Sequence, residues 1–308
     1  DNNYQDDKEN IIAKYNEIGY RDARIERDTA FVNSDKTMTI EININEGQPY
    51  KFGDITFVGN TVYSSEDLLR RLGIENNDIF DQSVLDARLF GSEDGTDISS
   101  LYLDDGYLFF NATPIEISAS DRKIDLEIRI YEGKQARINK IMVKGNTKTN
   151  DHVIMRELRT RPGDLFKRSD IMRSQRELAQ MQYFNPEKFD VKVDPDPRRN
   201  QVDITYVVEE KSSDQIQLQG GYGAGRVVGS LSLSFTNFST RNFLKKDKWT
   251  PLPSGDGQIL SLSASSTGIN YQNYAISFTE PWLGGKKPNS LSVSLYRSIS
   301  SNGLQGET

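Results

Sequence analysis

Few residues in this chain could make or break bonds, and their spacing argues against each such use. His152 is the only histidine and cysteine is absent, which removes disulfides, thiolate metal sites, cysteine nucleophiles and most imidazole chemistry together. His152 lies beside a helix start and is expected to be solvated rather than catalytic. Asp194 and Asp196, in Asp-Pro-Asp-Pro, could offer carboxylates to calcium, but further ligands are missing and the prolines stiffen a hairpin. Gly220-Gly-Tyr-Gly-Ala-Gly225 invites a phosphate-cradling loop. No helix pattern follows it, the spacing misses G-x-G-x-x-G, and no Lys-Ser/Thr completes a P-loop, so a bending or poorly packed strand is the better reading. Asp104-Asp105-Gly106 reads as a helix end turning into a strand. With no nucleophile–base pair and no Gly-x-Ser-x-Gly elbow, the expectation is a non-enzyme with no cofactor and no metal.

What remains is the chemistry of backbone N–H and C=O groups, and that depends on the elements that present them. The first two thirds of the chain repeat. Ile55-Thr-Phe-Val-Gly-Asn-Thr61 matches Ile141-Met-Val-Lys-Gly-Asn-Thr147 at an offset of 86 residues, and Asp78-Ile-Phe80 matches Asp164-Leu-Phe166 at the same offset. Thr39–Gly47 and Asp125–Gly133, both ending in Glu-Gly, are again 86 apart, with Asp203–Glu210 as a looser third copy. A fixed period of this kind outweighs any lone motif.

Each unit reads β-α-α-β-β. Gly59-Asn60 suits a tight turn after the first strand, and Ser64 or Ser65 can cap a helix carrying Leu68, Leu69 and Leu72. In the last unit Asn150 or Asp151 takes the cap role. A second helix follows, with Ile11, Ile12, Tyr15 and Ile18 in the first unit and Ile171, Gln175, Leu178 and Met181 in the third. The closing strand alternates, with Ile40, Ile42 and Ile44 on one face. The boundaries expected are a partial repeat over 1–47, full repeats over 48–133 and 134–212, and a different segment over 213–308. The chain is thus expected to begin inside a repeat, so its polar start, Asp1-Asn2-Asn3, with no signal peptide, says nothing of location. Short junctions at Glu46-Gly-Gln-Pro49 and Glu132-Gly-Lys-Gln135 leave few residues to absorb rotation.

From Gln215 the pattern changes. Ser230–Phe235, Leu260–Ala264, Tyr274–Phe278 and Ser290–Leu295 alternate residue by residue, and charges gather in connections, notably Arg241 to Lys248 and Lys286-Lys287. No stretch approaches the roughly 18 apolar residues a spanning helix needs, but membrane strands need only alternate residues to be apolar. The polar face is serine, glutamine and small residues, suited to a hydrated lumen. Tyr271, Tyr274, Trp282 and Phe238 lie near strand ends, where interfacial aromatics belong. About five strands fit, too few to close a barrel, which takes about eight, so the remainder is expected beyond Thr308. A soluble sandwich is the plain alternative. The net charge of −7 leaves no general basic field for nucleic acid.

The β-α-α-β-β units with Val-Gly-Asn-Thr and Glu-Gly signatures resemble POTRA domains. Their place before Gly221-Tyr-Gly223 and the Thr279-Glu-Pro-Trp282 strand end resembles the BamA family of outer-membrane β-barrel assembly proteins. The likeness covers essentially the whole chain. It implies an α+β arm of tandem POTRA repeats in the periplasm, followed by the N-terminal strands of a transmembrane β-barrel whose first and last strands pair weakly as a lateral gate. It also implies unfolded outer-membrane β-barrel proteins, accessory periplasmic lipoproteins and outer-membrane lipid as partners. One departure bears on the lipoproteins: many relatives carry a charged residue where this chain has Pro162, so that contact is not carried over.

With sheet order 1-3-2 in each repeat, the second strand is an edge, near Asp22–Thr29, Asn111–Ser118 and Phe189–Asp194. An open edge can add an extended segment through main-chain hydrogen bonds; the plain alternative is that these edges are only solvated. Candidate substrate-binding residues are Phe189, Val191 and Val193 on the last such edge. On the first barrel strand they are Gln215, Gln217, Gln219, Gly220, Gly221 and Tyr222, where glycine weakens pairing. The expected function is insertion of outer-membrane barrels. The rival is a POTRA-barrel secretion transporter of the two-partner or translocation-and-assembly type. A passive porin with a binding arm and a surface lipase with a POTRA-barrel anchor stand further off.

Overall fold

In the computed structural model, residues 2–92, 94–223, 226–249, 252–268 and 270–301 are described. The first repeat contributes α1 (Asn2–Glu17), β1 (Arg24–Val32) and β2 (Met38–Asn45). The two strands pair antiparallel. Ile18 falls just past the helix and is exposed, and Ile40 is half exposed despite its place in the alternation.

The middle repeat runs β3 (Lys51–Val58), α2 (Ser65–Leu72), α3 (Gln82–Phe90), α4 (Ile98–Asp104), β4 (Asn111–Ser120) and β5 (Lys123–Tyr131). Its sheet order is β3-β5-β4, parallel on one side of β5 and antiparallel on the other, so β4 is an edge. Alternation in β5 aims Ile124, Leu126, Ile128 and Ile130 at the helices, where they meet Leu68, Leu72, Leu85, Leu89, Ile98 and Tyr102. Ser64 is the cap of α2, its side chain accepting from Asp67 N.

The expected second helix of this repeat is two. Asp97, fully buried, ends the break and caps α4, accepting from Ser100 N at 2.9 Å and from the hydroxyls of Ser99, Ser100 and Ser92. The insertion is visible in the spacing. Glu132 and Glu210 lie 78 apart, whereas the motifs before the helices lie 86 apart, so about one helical turn and its loop separate the two copies.

The third repeat has β6 (Arg137–Lys144), α5 (Asp151–Met155), α6 (Arg168–Gln180), β7 (Asp190–Asp196) and β8 (Gln201–Val207), again ordered first, third, second, with β7 at the edge. The buried stripe of α6 is Ile171, Ser174 and Leu178. Ser174 takes the place expected of Gln175 because its hydroxyl has work inside, accepting from Arg159 N and donating to the Asp170 carbonyl. Most of this repeat belongs to one compact unit with the strands that follow, and the first two repeats belong to another.

Those strands are β9 (Gln215–Gly223), β10 (Arg226–Phe238), β11 (Gln258–Thr267), β12 (Tyr271–Glu280) and β13 (Leu291–Ser300), an antiparallel meander with β9 and β13 outermost. Register decides what its faces are. Leu231 sits opposite Leu218 and Ala264, Leu233 opposite Ile216 and Leu262, and Ile276 opposite Leu262 and Leu295. One parity is therefore apolar across all five strands. The other carries Gln217, Ser232, Ser263 and their neighbours, a polar face of the same extent. That two-faced sheet suits lipid on one side and water on the other. Among the described residues no helix is long and apolar enough to cross a membrane.

Candidate functional site

The repeat edges are guarded but open. On β7, Val191 is half-buried and Val193 is exposed, flanked by exposed Asp190, Lys192 and Asp194. Phe189 precedes the strand instead of lying on it. A short 3-10 turn over Pro186–Lys188 leads into it, and its ring packs 6.1 Å from that of the buried Phe184. On β4, Pro114 lacks a donor and Glu116 is held by Arg21 at 2.8 Å. Charges and proline on an edge discourage indiscriminate pairing without closing it.

Strand β9 holds the six remaining candidates. Gln215, Gln217 and Gln219 lie opposite Ser234, Ser232 and Ser230 on the polar face. Gly220 faces Gly229, Gly221 faces Val228 and Tyr222 faces Val227. At the Gly220–Gly229 pair neither strand offers a side chain to the other, so that step of the ladder rests on backbone alone. Ile216, Leu218 and Tyr222 are more than three-quarters exposed. The glycine-rich run continues into Ala224 and Gly225, which lie outside the described residues.

The repeat signatures themselves prove to be one device. After β3, Gly59 turns at φ +91°, and a Cβ there would come 2.3 Å from Ile130 O; at Gly145, φ +95°, it would come 1.8 Å from Val208 O. Glu132 then accepts from Thr61 N, Thr61 Oγ1, Val62 N and Tyr102 OH. Glu210 accepts from Thr147 N at 3.0 Å, Thr147 Oγ1 at 2.8 Å, Lys148 N at 2.8 Å and Thr149 N at 2.6 Å. Burial alone would raise the Glu210 pKa, but these donors together outweigh it and hold the carboxyl below its ordinary value of 4.5. The glutamate at the end of the last strand thus locks the glycine turn after the first. The recurrence of both motifs was the signal; their pairing was not read from it.

Sequence reasoning also missed a docked turn. The connection between β10 and β11 returns to α5, and its buried Asp256 accepts from Ser239 Oγ at 2.7 Å and Asn150 Nδ2 at 2.8 Å. Asn150 N donates to Gly255 O at 2.9 Å, and Asn237 Nδ2 donates to Thr149 Oγ1 at 2.8 Å. Asn150 sits at the cap position of α5 but makes no side-chain cap bond; its Nδ2 donates to Asp256 instead. His152 is exposed, as expected, with Nε2 3.5 Å from Asp256 Oδ1 at the edge of the same contact. Arg156, one turn on, lies 5.4 Å over the Trp282 ring. Among the described residues no cluster of His, Asp or Glu could hold a metal ion. Asp196, set aside above as a calcium ligand, accepts from Arg198 N and Arg199 N in the β7–β8 turn.

A family model described as POTRA, surface antigen variable number repeat, matches residues 50–133 and 136–211, more than half of the chain. A Treponema pallidum protein provisionally named an outer membrane protein assembly factor is 27% identical over 92% of this chain and 33% of its own length. Outer membrane protein assembly factor BamA of Nitratidesulfovibrio vulgaris is 27% identical over 85% of this chain and 31% of its own. The chain therefore spans about a third of the relatives it matches. The crystal structure of Haemophilus ducreyi BamA lacking POTRA domains 1–3 shares the fold, with a TM-score of 0.63 at 21% identity, over 83% of this chain and 44% of that one. The chain belongs to the POTRA family, and is a BamA-like outer-membrane protein whose POTRA repeats lie in the periplasm.

Proposed function

We propose that the protein receives unfolded outer-membrane β-barrel proteins on its periplasmic repeats by β-augmentation and templates their insertion on β9. The observation that carries this reading is the state of β9. It is an outermost strand of the membrane sheet, and its Gly220–Gly229 step lacks cross-strand side-chain packing. A strand held that weakly can exchange its partner for an incoming hairpin. The names of the relatives, which are assembly factors, support the same direction.

The edges β4 and β7 would hold extended segments through main-chain hydrogen bonds, with little demand on sequence. No nucleotide, metal or catalytic residue takes part. The free energy comes from the substrate as its apolar side chains reach lipid and its backbone groups pair. Accessory periplasmic lipoproteins and outer-membrane lipid complete the proposed partners.

Depletion of the protein in its host, with outer-membrane proteins quantified, tests the reading. A broad loss of unrelated barrels, with unfolded precursors collecting in the periplasm, is expected. Loss of one secreted partner while other barrels stay normal would instead make it a dedicated transporter.

A further inference from the structure

We propose that the two sheet turns on the POTRA side form a basic–aromatic collar that binds the anionic phospholipid headgroups of the periplasmic leaflet. Strand β9 enters from the last repeat at Gln215, so in an antiparallel meander the β10–β11 and β12–β13 connections share the POTRA end. Both carry the same order of residues. One reads Asn242-Phe-Leu-Lys-Lys246 and the other Pro281-Trp-Leu-Gly-Gly-Lys-Lys287.

In each turn a leucine stands in the open, Leu244 at 91% exposure and Leu283 at 51%, with lysines just beyond it. Leu244 is not the tip of a floppy loop. Asn242 beneath it is buried, its N–H donating to Ser239 Oγ and its amide to Ser254 O. Phe243 and Trp249 pack 5.6 Å apart, and Trp249 Nε1 donates to Phe243 O at 3.2 Å. The base of the turn is fixed on the last repeat while its apolar tip is left uncovered.

Charge identifies what covers it. Arg241, Lys245, Lys246, Lys248, Lys286 and Lys287 lie in these two turns, and none has an ion-pair partner among the described residues. The whole chain carries −7, so this cluster runs against the composition around it. Apolar sheet face, then aromatic and leucine, then unpaired cation is the layering of a bilayer interface: hydrocarbon, carbonyl region, phosphate. An acidic protein partner would account for the lysines but not for their continuity with the lipid-facing strands.

Trp249 and Trp282 are the only tryptophans of this chain, one in each turn, and they report the contact directly. The protein, with any tryptophan outside this chain replaced by phenylalanine, is reconstituted in phosphatidylcholine vesicles. These contain equal mole fractions of either brominated phosphatidylglycerol or brominated phosphatidylcholine. Several-fold stronger quenching by the phosphatidylglycerol is expected. That preference should vanish in the combined K245Q/K246Q/K286Q/K287Q variant, and in the unaltered protein at high salt, where headgroup attraction is screened. The salt arm decides the matter even if the variant fails to fold. Equal quenching by the two lipids overturns the proposal, as does a preference that high salt leaves intact. Loss of the preference on adding inorganic phosphate at constant ionic strength would assign the turns to a free anion and also overturn it.

Discussion

Asn150 Nδ2 donates to Asp256 Oδ1 across 2.8 Å and 106 residues of sequence, tying the start of α5 in the last repeat to a turn of the membrane sheet. Asp256 is buried and also accepts from Ser239 Oγ, so one carboxylate closes the turn and docks it. Asp256→Ala leaves both donors without their acceptor and is expected to cost about 2–3 kcal/mol at this junction. Faster amide exchange at Asn150, whose N–H bonds Gly255 O, measures it; unchanged exchange there would show that the carboxylate holds nothing.

Glycine in the repeat turns gives a graded series. Gly145→Ala drives a Cβ to 1.8 Å from Val208 O at φ +95° and should cost roughly 3 kcal/mol or more. Gly59→Ala meets Ile130 O at 2.3 Å and should follow closely. Gly163 has a similar φ of +94° but nothing within 4 Å of the built Cβ, so Gly163→Ala should cost only about 1 kcal/mol. Urea midpoints of the three variants rank the effects. Equal losses would mean that backbone strain alone, and not the close approach, sets the penalty.

The Glu210 lock should open in acid. Its pKa is lower folded than unfolded, so its contribution is fully present above the ordinary glutamate value of 4.5 and is lost as pH falls through the depressed value. Exchange of the Thr147 and Lys148 amides, which donate to this carboxylate, is expected to accelerate over that interval beyond the intrinsic pH trend. In Glu210→Gln the extra pH dependence should disappear.

Strand β9 should tighten when given a side chain. A Cβ at Gly220 meets only Val228 O, at 4.0 Å, so Gly220→Val fits and should strengthen pairing by about 1 kcal/mol. On the proposed function this slows strand exchange about fivefold, read as slower appearance of a folded substrate barrel in proteoliposomes. An unaltered rate would detach β9 from the insertion step.

The sequence made some of this legible and hid the rest for a physical reason. Alternation in β5 and β10 and the recurrence of Gly-Asn-Thr are local, since each residue's burial is decided by its immediate neighbours along one element. From these come the strands of each repeat and the five strands that follow; the sheet order 1-3-2, and with it the edge strands, is non-local and comes with the POTRA resemblance. The split of the middle helix was written in the chain, as the polar run Gly91-Ser-Glu-Asp-Gly-Thr-Asp97 between α3 and α4 and as the shortened spacing to Glu210, but the β-α-α-β-β pattern of the repeat left no place for a third helix. The docking of Asp256 on Asn150 left no periodic trace, because two polar residues in separate loops satisfy each other only after both elements are in place.

The alternation of Gln215–Gln219 in β9 sets a parity that any strand hydrogen-bonded to it must share. Slipping an arriving segment by two residues changes which side chains meet but keeps oil facing oil. Slipping it by one sends its polar side chains into hydrocarbon, at several kcal/mol for each one left unpaired. Such an edge discriminates between odd and even errors without recognising any particular sequence. On the proposed function it would therefore serve many unlike strands and still reject half of their wrong alignments.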